Sequence, residues 1–568
     1  MLLPHGVTQV DLAPHWRGRD RFVILDSAWG AGERLRAVLA AWRADEQRPR
    51  RLHYIAIADP ALPGFRRIPQ QDSNVTLDLL HAPIEQALAQ LDARADAIVL
   101  HELEGAGVAF VRPLAKLAAP GTVLFSEGLD GEQEEALAKA GFASSANGPS
   151  IFASRKPFAP RPSPAERRAI VVGAGVAGSA ACERLCARGW QVTLVERHAQ
   201  PAMEASGNLA GIFMPLLSRD DNIPTRLTRA AYLFALDYWN NLGGIGQAID
   251  GGQCGVMQLA RDPAHARVQR EIAQQWRYPA EFAQWLEAAE AGAMLGSPAP
   301  DGAWLFRQGG WARPGSVCAA MLAACGDRLA AVFNAGSTRI ERRDGQWRVL
   351  DAAGGVIAQA PVLVLANGTS ATSVSEASQL PLAKVRGQVS HLAAGTLPAL
   401  PFVLCREAYL TSAPGAVQCA GATYDLNDPD PQVRQSSHDE NLAKVRSLLG
   451  MEDAARGAPL RGRTGFRCVA PDRLPLVGAL ADARPTGRAE RLRDLPRHPG
   501  LYGLLGYASR GLIWAPLAAE LLAAQLEGEP LPLERALAEA LDPARFMLGR
   551  ARKHDIVAPT PSRDAADE

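Results

Sequence analysis

Short apolar runs alternate with helical stretches over the first 157 residues of the chain. The apolar runs are rich in β-branched residues and have the length of buried strands, and the segment 83–91 has the spacing of an amphipathic helix. This alternation predicts an α/β domain with a doubly wound parallel sheet. The predicted strands are FVILDSA (22–28), LHYIAIA (52–58), VTLDLLHA (75–82), AIVLHEL (97–103) and TVLFSE (122–127).

A proline-rich segment, KPFAPRPSPAERR (156–168), interrupts this alternation. Its four prolines are incompatible with a helix or a central strand, so the segment is predicted to be a linker. The expected organisation is an amino-terminal domain over 1–157, a linker over 158–168, a second domain over 169–550 and a polar tail over 551–568.

The second domain opens with a strand, a helix and a strand within 169–197. Two later segments, 362–368 and 501–526, each have the pattern of a strand that runs into a loop or helix. Between them, 389–394 and 408–413 show the apolar and polar alternation of half-buried strands. The pattern predicts a dinucleotide-binding fold with a β-rich insertion.

Three glycines, Gly173, Gly175 and Gly178, follow the first strand of this domain and precede its first helix in the spacing GxGxxG. The first glycine permits a tight turn, the second lets the backbone approach a pyrophosphate, and the third lets the helix pack closely on the strand. Glu196 ends the next strand, where an acid accepts hydrogen bonds from ribose hydroxyls. Strand, glycines, helix and acid in this order predict a dinucleotide site.

The composition is that of a folded, soluble protein, with 47% apolar and 21% charged residues. Lys and Arg together number 60, as do Asp and Glu, and the arginine clusters near the start are expected to form a solvated face. The eight cysteines form no CxxC pair or zinc-type spacing, so no disulfide or metal site is expected. Without a signal peptide or a long apolar run, the chain is expected to be cytoplasmic and not membrane-bound.

A series of short motifs follows Glu196. They are ASGNLAGIFMPLLS (205–218), CGVMQLA (254–260), GGWARPGSVC (309–318), RGQVSH (386–391), GFRCVAPDRLPLVG (465–478) and ASRGL (508–512). In order and spacing they resemble the oxidoreductase half of the bifunctional tRNA 5-methylaminomethyl-2-thiouridine biosynthesis proteins, the MnmC family. The strand 362–368 is also similar to one in the FAD-dependent amine oxidases of the glycine oxidase and D-amino-acid oxidase class. The resemblance implies FAD, a D-amino-acid-oxidase-like domain with a β-rich substrate insertion, and an enzyme acting on tRNA. A monomer is also expected.

In that family the oxidoreductase half removes the carboxymethyl group from 5-carboxymethylaminomethyl-uridine at the tRNA wobble position. The amino-terminal half then methylates the exposed amine with S-adenosylmethionine. The resemblance implies the first of these activities here. An FAD-dependent oxidase of free glycine, sarcosine or a D-amino acid is the alternative, because it would use the same flavin and the same carboxylate ligand.

Arg467, in the motif GFRC, is the predicted ligand of the substrate carboxylate, since a guanidinium group can bind a carboxylate through two hydrogen bonds. Arg510 is the second candidate, and Tyr409 is expected to close the pocket or to donate a hydrogen bond to the carboxylate. His391 is expected to be a strand histidine rather than a base. By resemblance, flavin contacts are expected at Ser206, Gly207, Asn208 and Gly511.

The segment after the first predicted strand of the chain resembles the S-adenosylmethionine loop of the same family, with Gly30 and Gly32 in its turn. Ala28 stands where the family has its first glycine, Ala58 ends the strand that carries an acid for the ribose, and His101 replaces an aspartate at the catalytic strand. The domain is therefore expected to keep a Rossmann-like methyltransferase-type fold but to have degenerate chemistry. The alternative is retained methylation with S-adenosylmethionine, with Asp59 or Glu102 supplying a missing acid. A non-catalytic tRNA-binding module is compatible with degenerate chemistry.

Overall fold

The computed structural model describes residues 11–59, 62–103, 105–145, 148–153, 165–411, 417–482 and 491–548. The chain forms two compact units, one of residues 1–165 with 523–538 and the other of residues 166–522 with 539–568. Residues 158–164 of the predicted linker and the whole predicted tail lie outside the described residues.

Residues 523–538 group with the first unit, whereas the sequence predicts one uninterrupted second domain over 169–550. An ion pair joins Glu529 to Arg51, with 2.7 Å between Oε1 and Nε. The backbone N–H of Leu531 donates to the carbonyl of Asp92 at 3.0 Å. These partners are hundreds of residues away along the chain, and local periodicity carries no sign of them.

The first unit is built around one eight-stranded mixed sheet. Its strands are β1 (Arg21–Asp26), β2 (Arg51–Ile57), β3 (Gly64–Pro69), β4 (Val75–His81), β5 (Ala95–Leu100), β6 (Ala118–Ser126), β7 (Phe142–Ser145) and β8 (Gly148–Phe152), and its helices are α1 (Ala13–Trp16), α2 (Glu33–Ala44), α3 (Ile84–Gln90), α4 (Val111–Leu117) and α5 (Gly131–Ala140). The strand order is β3-β4-β2-β1-β5-β6-β8-β7.

The five predicted strands are confirmed as the parallel centre of this sheet, namely β4, β2, β1, β5 and β6. Strand β3 adds to β4 in the antiparallel sense, and β8 and β7 add antiparallel beyond β6. The sequence analysis missed β3 because its residues, GFRRIP, lack an apolar run. Apolar cores on the two faces of the sheet cover the central strands.

The second unit contains two principal sheets and two small ones. Its strands are β9 (Arg168–Val172), β10 (Gln191–Val195), β11 (Gly211–Phe213), β12 (Gly251–Gly252), β13 (Val256–Leu259), β14 (Gln284–Leu286), β15 (Ala303–Phe306), β16 (Gly310–Ala312), β17 (Leu329–Val332), β18 (Arg339–Arg343), β19 (Gln346–Leu350), β20 (Val356–Ala360), β21 (Val362–Leu365), β22 (Ala383–Ala393), β23 (Val403–Cys405), β24 (Tyr409–Leu410), β25 (Val417–Gly421), β26 (Asp425–Leu426), β27 (Arg461–Val469), β28 (Leu476–Ala481) and β29 (Arg497–Leu505).

The described chain contains nine α-helices after β9. They are α6 (Val176–Cys186), α7 (Ile223–Asn241), α8 (Pro263–Trp276), α9 (Ala288–Leu295), α10 (Pro314–Ala323), α11 (Gln435–Leu449), α12 (Gly511–Glu527), α13 (Arg535–Leu541) and α14 (Arg545–Leu548).

The nucleotide-binding part of the second unit is a six-stranded sheet in the order β17-β10-β9-β21-β29-β28. Its strands run parallel except for β28, which pairs antiparallel with β29. The predicted return of the chain to this sheet is confirmed, because β21 and β29 come from the two later segments.

A nine-stranded sheet forms the predicted β-rich insertion, in the order β14-β15-β13-β23-β24-β25-β22-β26, with β27 paired to β22. The long strands β22 and β27 run antiparallel, with Val385 opposite Arg467. The predicted strand 408–413 is shorter than expected, since only Tyr409 and Leu410 form β24 and residues 412–416 lie outside the described chain. Strands β24 and β27 belong to this one sheet, so it carries both Tyr409 and Arg467.

Candidate active site

The glycine turn between β9 and α6 has the geometry expected for a dinucleotide. Gly173 has φ of +101°, a conformation that favours glycine. A Cβ atom on Gly178 would lie 1.8 Å from the carbonyl oxygen of Gly173, so the helix can approach the strand only without a side chain there. A Cβ atom on Gly175 would lie 3.1 Å from the hydroxyl of Ser206, in the space before the helix.

Glu196 follows β10 and is buried, with 7% of its surface exposed. Its carboxylate accepts hydrogen bonds from the backbone N–H of Ala174 at 2.7 Å and from that of His198 at 2.9 Å. The acid predicted for the ribose therefore also stabilises the glycine turn. Each carboxylate oxygen has further acceptor capacity, and Glu196 lines the cavity described below.

The loop that carries Ser206, Gly207 and Asn208 is bound to β27 by Arg463. The guanidinium donates to Asn208 Oδ1 at 3.2 Å, to the carbonyl of Met203 at 2.8 Å, and to the carbonyl of Glu204. A Cβ atom on Gly207 would lie 2.4 Å from Arg463 Nη2, so this glycine makes room for the arginine. The sequence analysis missed Arg463.

Ser206 lies at the amino end of α6, where its hydroxyl accepts from the backbone N–H of Val176 at 3.1 Å. Gly511 begins α12, and a Cβ atom on it would lie 3.3 Å from the side chain of Val176. Two helix amino ends therefore meet near the glycine turn. Such ends present unpaired N–H groups and favour phosphate.

A cavity of about 1240 Å³ connects this turn to the nine-stranded sheet. Its volume exceeds the roughly 300–1,000 Å³ of ordinary small-molecule pockets, so it has room for a large ligand. Gly178 and Gly207 are absent from its lining, because they serve close packing. The predicted site residues that do line it are Gly173, Gly175, Glu196, Ser206, Asn208, Tyr409, Arg467, Arg510 and Gly511.

Arg467 projects from β27 into this cavity. Its Nη1 donates to the carbonyl of Thr423 at 3.1 Å and, at 3.4 Å, to that of Arg386. A Cβ atom on Gly387, across the sheet, would lie 2.2 Å from Nη1, so the absence of a side chain there gives the guanidinium its position. The sequence analysis did not single out Gly387.

No carboxylate of the described residues forms an ion pair with Arg467. Burial lowers the pKa of the guanidinium from its ordinary value of 12.5, and the nearby phenols Tyr409 and Tyr424 and the more distant carboxylate of Asp425 oppose that effect. Because arginine starts from so high a value, it stays charged at neutral pH. The cavity thus contains a half-buried cation that can receive an anionic ligand.

Two tyrosines lie beside this cation. Burial raises the pKa of Tyr409, although the charge of Arg467 acts in the opposite direction, so the phenol is a hydrogen-bond donor at neutral pH. The ring centre of Tyr424 lies 5.3 Å from the guanidinium carbon of Arg467. Both tyrosines line the cavity.

Arg510 is on the turn before α12, where its backbone N–H donates to the carbonyl of Tyr507 at 3.0 Å. The hydroxyl of Tyr507 and Oδ1 of Asn367 are buried and have no hydrogen-bond partner in the described part of the chain. Both residues line the cavity. Because unsatisfied buried polar atoms are costly, these two are suited to a polar ligand. Neither Tyr507 nor Asn367 was predicted from the sequence.

His391 lies on β22 and does not line the cavity. Burial, together with the charge of Arg463, lowers the pKa of its imidazole. The prediction that it is not a base of this site agrees with that location.

Comparison with known proteins identifies the family. Residues 168–525 match the DAO family, described as FAD dependent oxidoreductase. The tRNA 5-methylaminomethyl-2-thiouridine biosynthesis bifunctional protein MnmC of Azoarcus sp. (strain BH72) is 41% identical to this chain, over 95% of the chain and 92% of that protein. The MnmC protein of Paraburkholderia xenovorans (strain LB400) is 39% identical over 96% and 93%. The chain belongs to the MnmC family.

Solved structures similar to this MnmC family member share the fold of its second unit. Glycine oxidase from Geobacillus kaustophilus has a TM-score of 0.55 and 21% identity, covering 67% of this chain and 99% of that one. Iminodiacetate oxidase from Chelativorans sp. BNC1 has a TM-score of 0.53 and 22% identity, covering 64% and 96%. The predicted D-amino-acid-oxidase-like fold is confirmed.

The residues of the second unit fit FAD, the cofactor of this oxidoreductase family. The glycine turn leaves the space that a pyrophosphate needs, and two helix amino ends lie beside it. The two unpartnered polar atoms, on Tyr507 and Asn367, line the same cavity. The flavin supplies the redox chemistry when it is bound.

The corresponding region of the first unit is differently arranged. Asp26, buried at the end of β1, lies 2.5 Å from Arg34 Nη1 and 2.8 Å from His101 Nε2, and it accepts a hydrogen bond from the hydroxyl of Tyr54. Burial alone would raise the pKa of Asp26, but the hydrogen bonds from His101 and Tyr54 and the charge of Arg34 outweigh burial and lower it. We call these four residues the Asp26 cluster.

The glycine turn of the first unit packs against a tryptophan. Gly30 and Gly32 have φ of +56° and +76°. A Cβ atom on Gly32 would lie 2.8 Å from the indole of Trp29, which itself packs on the core of the unit. Ala58 follows β2, so the strand that would carry an acid for a ribose offers an apolar methyl group there.

Several arginines near the amino terminus form ion pairs. Arg19 lies 2.5 Å from Asp96, Arg50 lies 2.9 Å from Asp20, and Arg67, buried, lies 2.6 Å from Asp78. These pairs neutralise much of the local positive charge.

All eight cysteines are free thiols. Among the described residues, no group of three or more His, Cys, Asp or Glu side chains is placed to bind a metal ion. Within the same residues, no helix has both the length and the apolar character that a membrane span requires.

Proposed function

We propose that this protein oxidatively removes the carboxymethyl group from 5-carboxymethylaminomethyl-(2-thio)uridine at the wobble position of tRNA. Membership of the MnmC family supports the tRNA substrate, because its relatives are tRNA 5-methylaminomethyl-2-thiouridine biosynthesis proteins. The observation that carries the proposal is Arg467, a cation in the cavity without an acidic partner among the described residues.

The reaction cleaves a bond between nitrogen and carbon. The substrate carries the group R–NH–CH2–COO⁻, which loses two electrons and two protons to give an imine. Water adds to that imine and releases glyoxylate, HCO–COO⁻, together with the primary amine R–NH2. FAD, when bound, would supply the oxidant by accepting the two electrons, so one turnover would need no other.

Arg467 binds the carboxylate of the substrate in this proposal. A guanidinium group matches a carboxylate bidentately, and a buried pair of this kind is both strong and directional. Tyr409 donates a hydrogen bond to the same carboxylate, because burial keeps its phenol protonated. Arg510 provides further positive charge in the cavity. Fixing the carboxylate orients the adjacent CH2 group, and orientation supplies much of the rate.

A free amino-acid oxidase is the competing function, because its substrates also present an amine and a carboxylate. The near full-length similarity to MnmC proteins, which includes the first unit, favours tRNA over a free amino acid. We include in the proposal a cytoplasmic enzyme, because its substrate is tRNA, and a monomeric one.

Nucleoside analysis by mass spectrometry tests the proposal. Holoenzyme is incubated with tRNA that carries the carboxymethylaminomethyl nucleoside, and in parallel with glycine, sarcosine and D-alanine. We expect conversion to the aminomethyl nucleoside with release of glyoxylate. Turnover of a free amino acid with no change in the tRNA nucleosides would overturn the proposal.

The variant Arg467→Ala tests the carboxylate ligand, and Arg461→Ala is its matched control, an exposed arginine on the same strand. Loss of a hydrogen bond to a charged group costs about 1.5–3 kcal/mol, so kcat/KM for tRNA should fall about 10- to 150-fold. The control should keep its activity, and both variants should retain FAD. Equal kcat/KM in the two variants would exclude Arg467 as the ligand.

A further inference from the structure

A site for S-adenosylmethionine must accommodate a cationic ligand. The molecule carries a sulfonium and an ammonium group, so a binding site has to supply free acceptors and keep other cations away. Its adenosine also needs an acceptor for the ribose hydroxyls and a glycine turn with an open face. The first unit can be compared with each requirement.

The acid at the end of β1 is already neutralised. Asp26 is buried and has Arg34 at 2.5 Å, His101 at 2.8 Å and the hydroxyl of Tyr54 as hydrogen-bonding partners. Arg34 Nη1 also lies 2.7 Å from His101 Nε2, so the guanidinium is held between the two. A second cation placed here would be repelled by Arg34 and would find the acceptors of Asp26 occupied.

The other two requirements are also unmet. The indole of Trp29 lies against Gly32, so a side chain covers this side of the glycine turn. Ala58 offers no side-chain acceptor to a ribose at the end of β2, and the next residue, Asp59, is an exposed acid one position further on. These two features are independent of the Asp26 cluster, so the residues present do not fit S-adenosylmethionine.

We infer that the first unit does not bind S-adenosylmethionine and that the Asp26 cluster is a structural ion pair network in place of a cofactor site. The product of this enzyme is then tRNA with a free aminomethyl group. A separate N-methylation reaction must act on that primary amine if the methylaminomethyl nucleoside is to form. The statement about the product rests on the proposed function, whereas the statement about binding does not.

Equilibrium dialysis of the full-length, FAD-loaded protein against radiolabelled S-adenosylmethionine tests the binding statement. We expect no saturable binding at ligand concentrations up to about 1 mM, which corresponds to very weak affinity. Hydrogen exchange of peptides covering 21–34 provides a second readout, and S-adenosylmethionine should not change it. Saturable binding, or protection of these peptides, would overturn the inference.

The same preparation is then incubated with aminomethyl-tRNA and S-adenosylmethionine. The aminomethyl nucleoside should persist, and the appearance of the methylated nucleoside would overturn the inference. Because tRNA oxidation is measured separately, a protein that neither oxidises tRNA nor binds S-adenosylmethionine would contradict only the proposed function.

A second inference rests on a different observation, the aromatic side chains around Arg467. Tyr424 is 44% exposed, which makes it the most exposed aromatic residue of the described chain, yet it lines the cavity. Its ring packs over the guanidinium of Arg467, at 5.3 Å. Phe466 also lines the cavity, with Lys384 Nζ 3.8 Å from its ring centre.

An exposed ring at a cavity entrance is suited to a flat ligand. Proteins that act on single-stranded or extruded nucleotides stack bases on aromatic side chains, and nearby cations bind the phosphates. We propose that Tyr424 stacks on the pyrimidine base that carries the reacting side chain, with Lys384 contacting the tRNA backbone. This rests on the proposed function and gives Tyr424 a positioning role.

Steady-state kinetics with substrate tRNA test this stacking role. Loss of one stacked ring should reduce kcat/KM about 5- to 150-fold in Tyr424→Ala, mainly through KM, while Tyr424→Phe should restore it. The matched control is Leu426→Ala, two residues away, which is 64% exposed and does not line the cavity. If Tyr424→Ala behaves as the control does, stacking is excluded; if the wild type leaves tRNA unchanged, the proposed function itself fails.

Discussion

The two units of this chain both place a glycine turn after a buried parallel strand, but the surroundings of the two turns differ. In the second unit the turn between β9 and α6 opens on a cavity of about 1240 Å³. In the first unit the turn after β1 packs against Trp29. A glycine turn therefore permits a nucleotide site, while the side chains around the turn decide whether such a site exists.

The two regions also differ in whether their central charged group forms an ion pair. Arg467 is a cation with backbone carbonyl partners and no carboxylate in the described chain. Asp26 is an acid with an arginine, a histidine and a tyrosine as partners. A charge in a cavity that forms no ion pair is available to a ligand, whereas the acceptors of a fully paired carboxylate are already occupied.

The variant Gly175→Leu should have the largest effect of the series. It changes the turn that opens on the cavity and leaves the turn of the first unit as it is. The leucine would occupy the space before α6, where even an added Cβ atom would lie only 3.1 Å from the hydroxyl of Ser206. We expect protein without FAD and without oxidase activity, measured by visible absorbance and by flavin release on denaturation. A variant that keeps its full flavin content would contradict the assignment of this turn.

Asp26→Asn should destabilise the first unit and leave tRNA oxidation unchanged. Breaking a buried ion pair costs about 3–5 kcal/mol, because Arg34 is left without the charge of its carboxylate partner. Hydrogen exchange of peptides from β1 and β5 should report the loss, with peptides from β9 as the internal reference. A lowered rate of tRNA oxidation without lowered protection of β1 would show that the cluster has a catalytic role.

The pH dependence of that effect has a definite sign. The pKa of Asp26 is lowered in the folded protein from its ordinary value of 3.8. Its contribution is therefore fully present above the ordinary value and is lost as pH falls through the lowered one. The difference in protection between wild type and Asp26→Asn should stay constant from neutral pH to about pH 4 and shrink below it.

Gly387→Ala should reproduce part of the loss seen in Arg467→Ala without removing the arginine. The new methyl group would lie 2.2 Å from the present position of Nη1, so the guanidinium must move. A displacement of about 1 Å can reduce turnover up to about 100-fold. Steady-state kinetics with tRNA check this value, and unchanged kcat/KM would mean that the position of the guanidinium is not critical.

Tyr409→Phe should have the smallest effect of the series. It removes one neutral hydroxyl, worth about 0.5–1.5 kcal/mol, and should lower kcat/KM about 2- to 12-fold. Because burial raises the pKa of Tyr409, the phenol stays protonated and the loss should be the same at pH 7 and pH 9. A loss that grew or vanished between these values would indicate a titrating phenol.

Local patterns predicted the features whose physical cause is local. The parallel strands and the turn of Gly173, Gly175 and Gly178 follow from apolar runs and glycine spacing, and the structure has them where expected. The hairpin of β7 and β8 and the edge strand β3 were missed, because their sequences carry little periodicity.

The site could be predicted only in part. Family resemblance indicated Arg467, but Gly387 and Arg463 act through partners on other strands or loops, so sequence spacing gives no sign of them. The same holds for Arg34, whose partner His101 lies 67 residues away. Long-range side-chain contacts of this kind are set by tertiary packing, which a single sequence does not display.

The contact between Arg463 and Asn208 spans 255 residues and has a consequence for biosynthesis. During translation the loop with Ser206 leaves the ribosome long before β27 exists, and Gly207 then borders an empty space instead of a guanidinium. Strand β29 and helix α12 are made later still. The residues that surround the flavin cavity are therefore all present only after nearly the whole polypeptide has been synthesised.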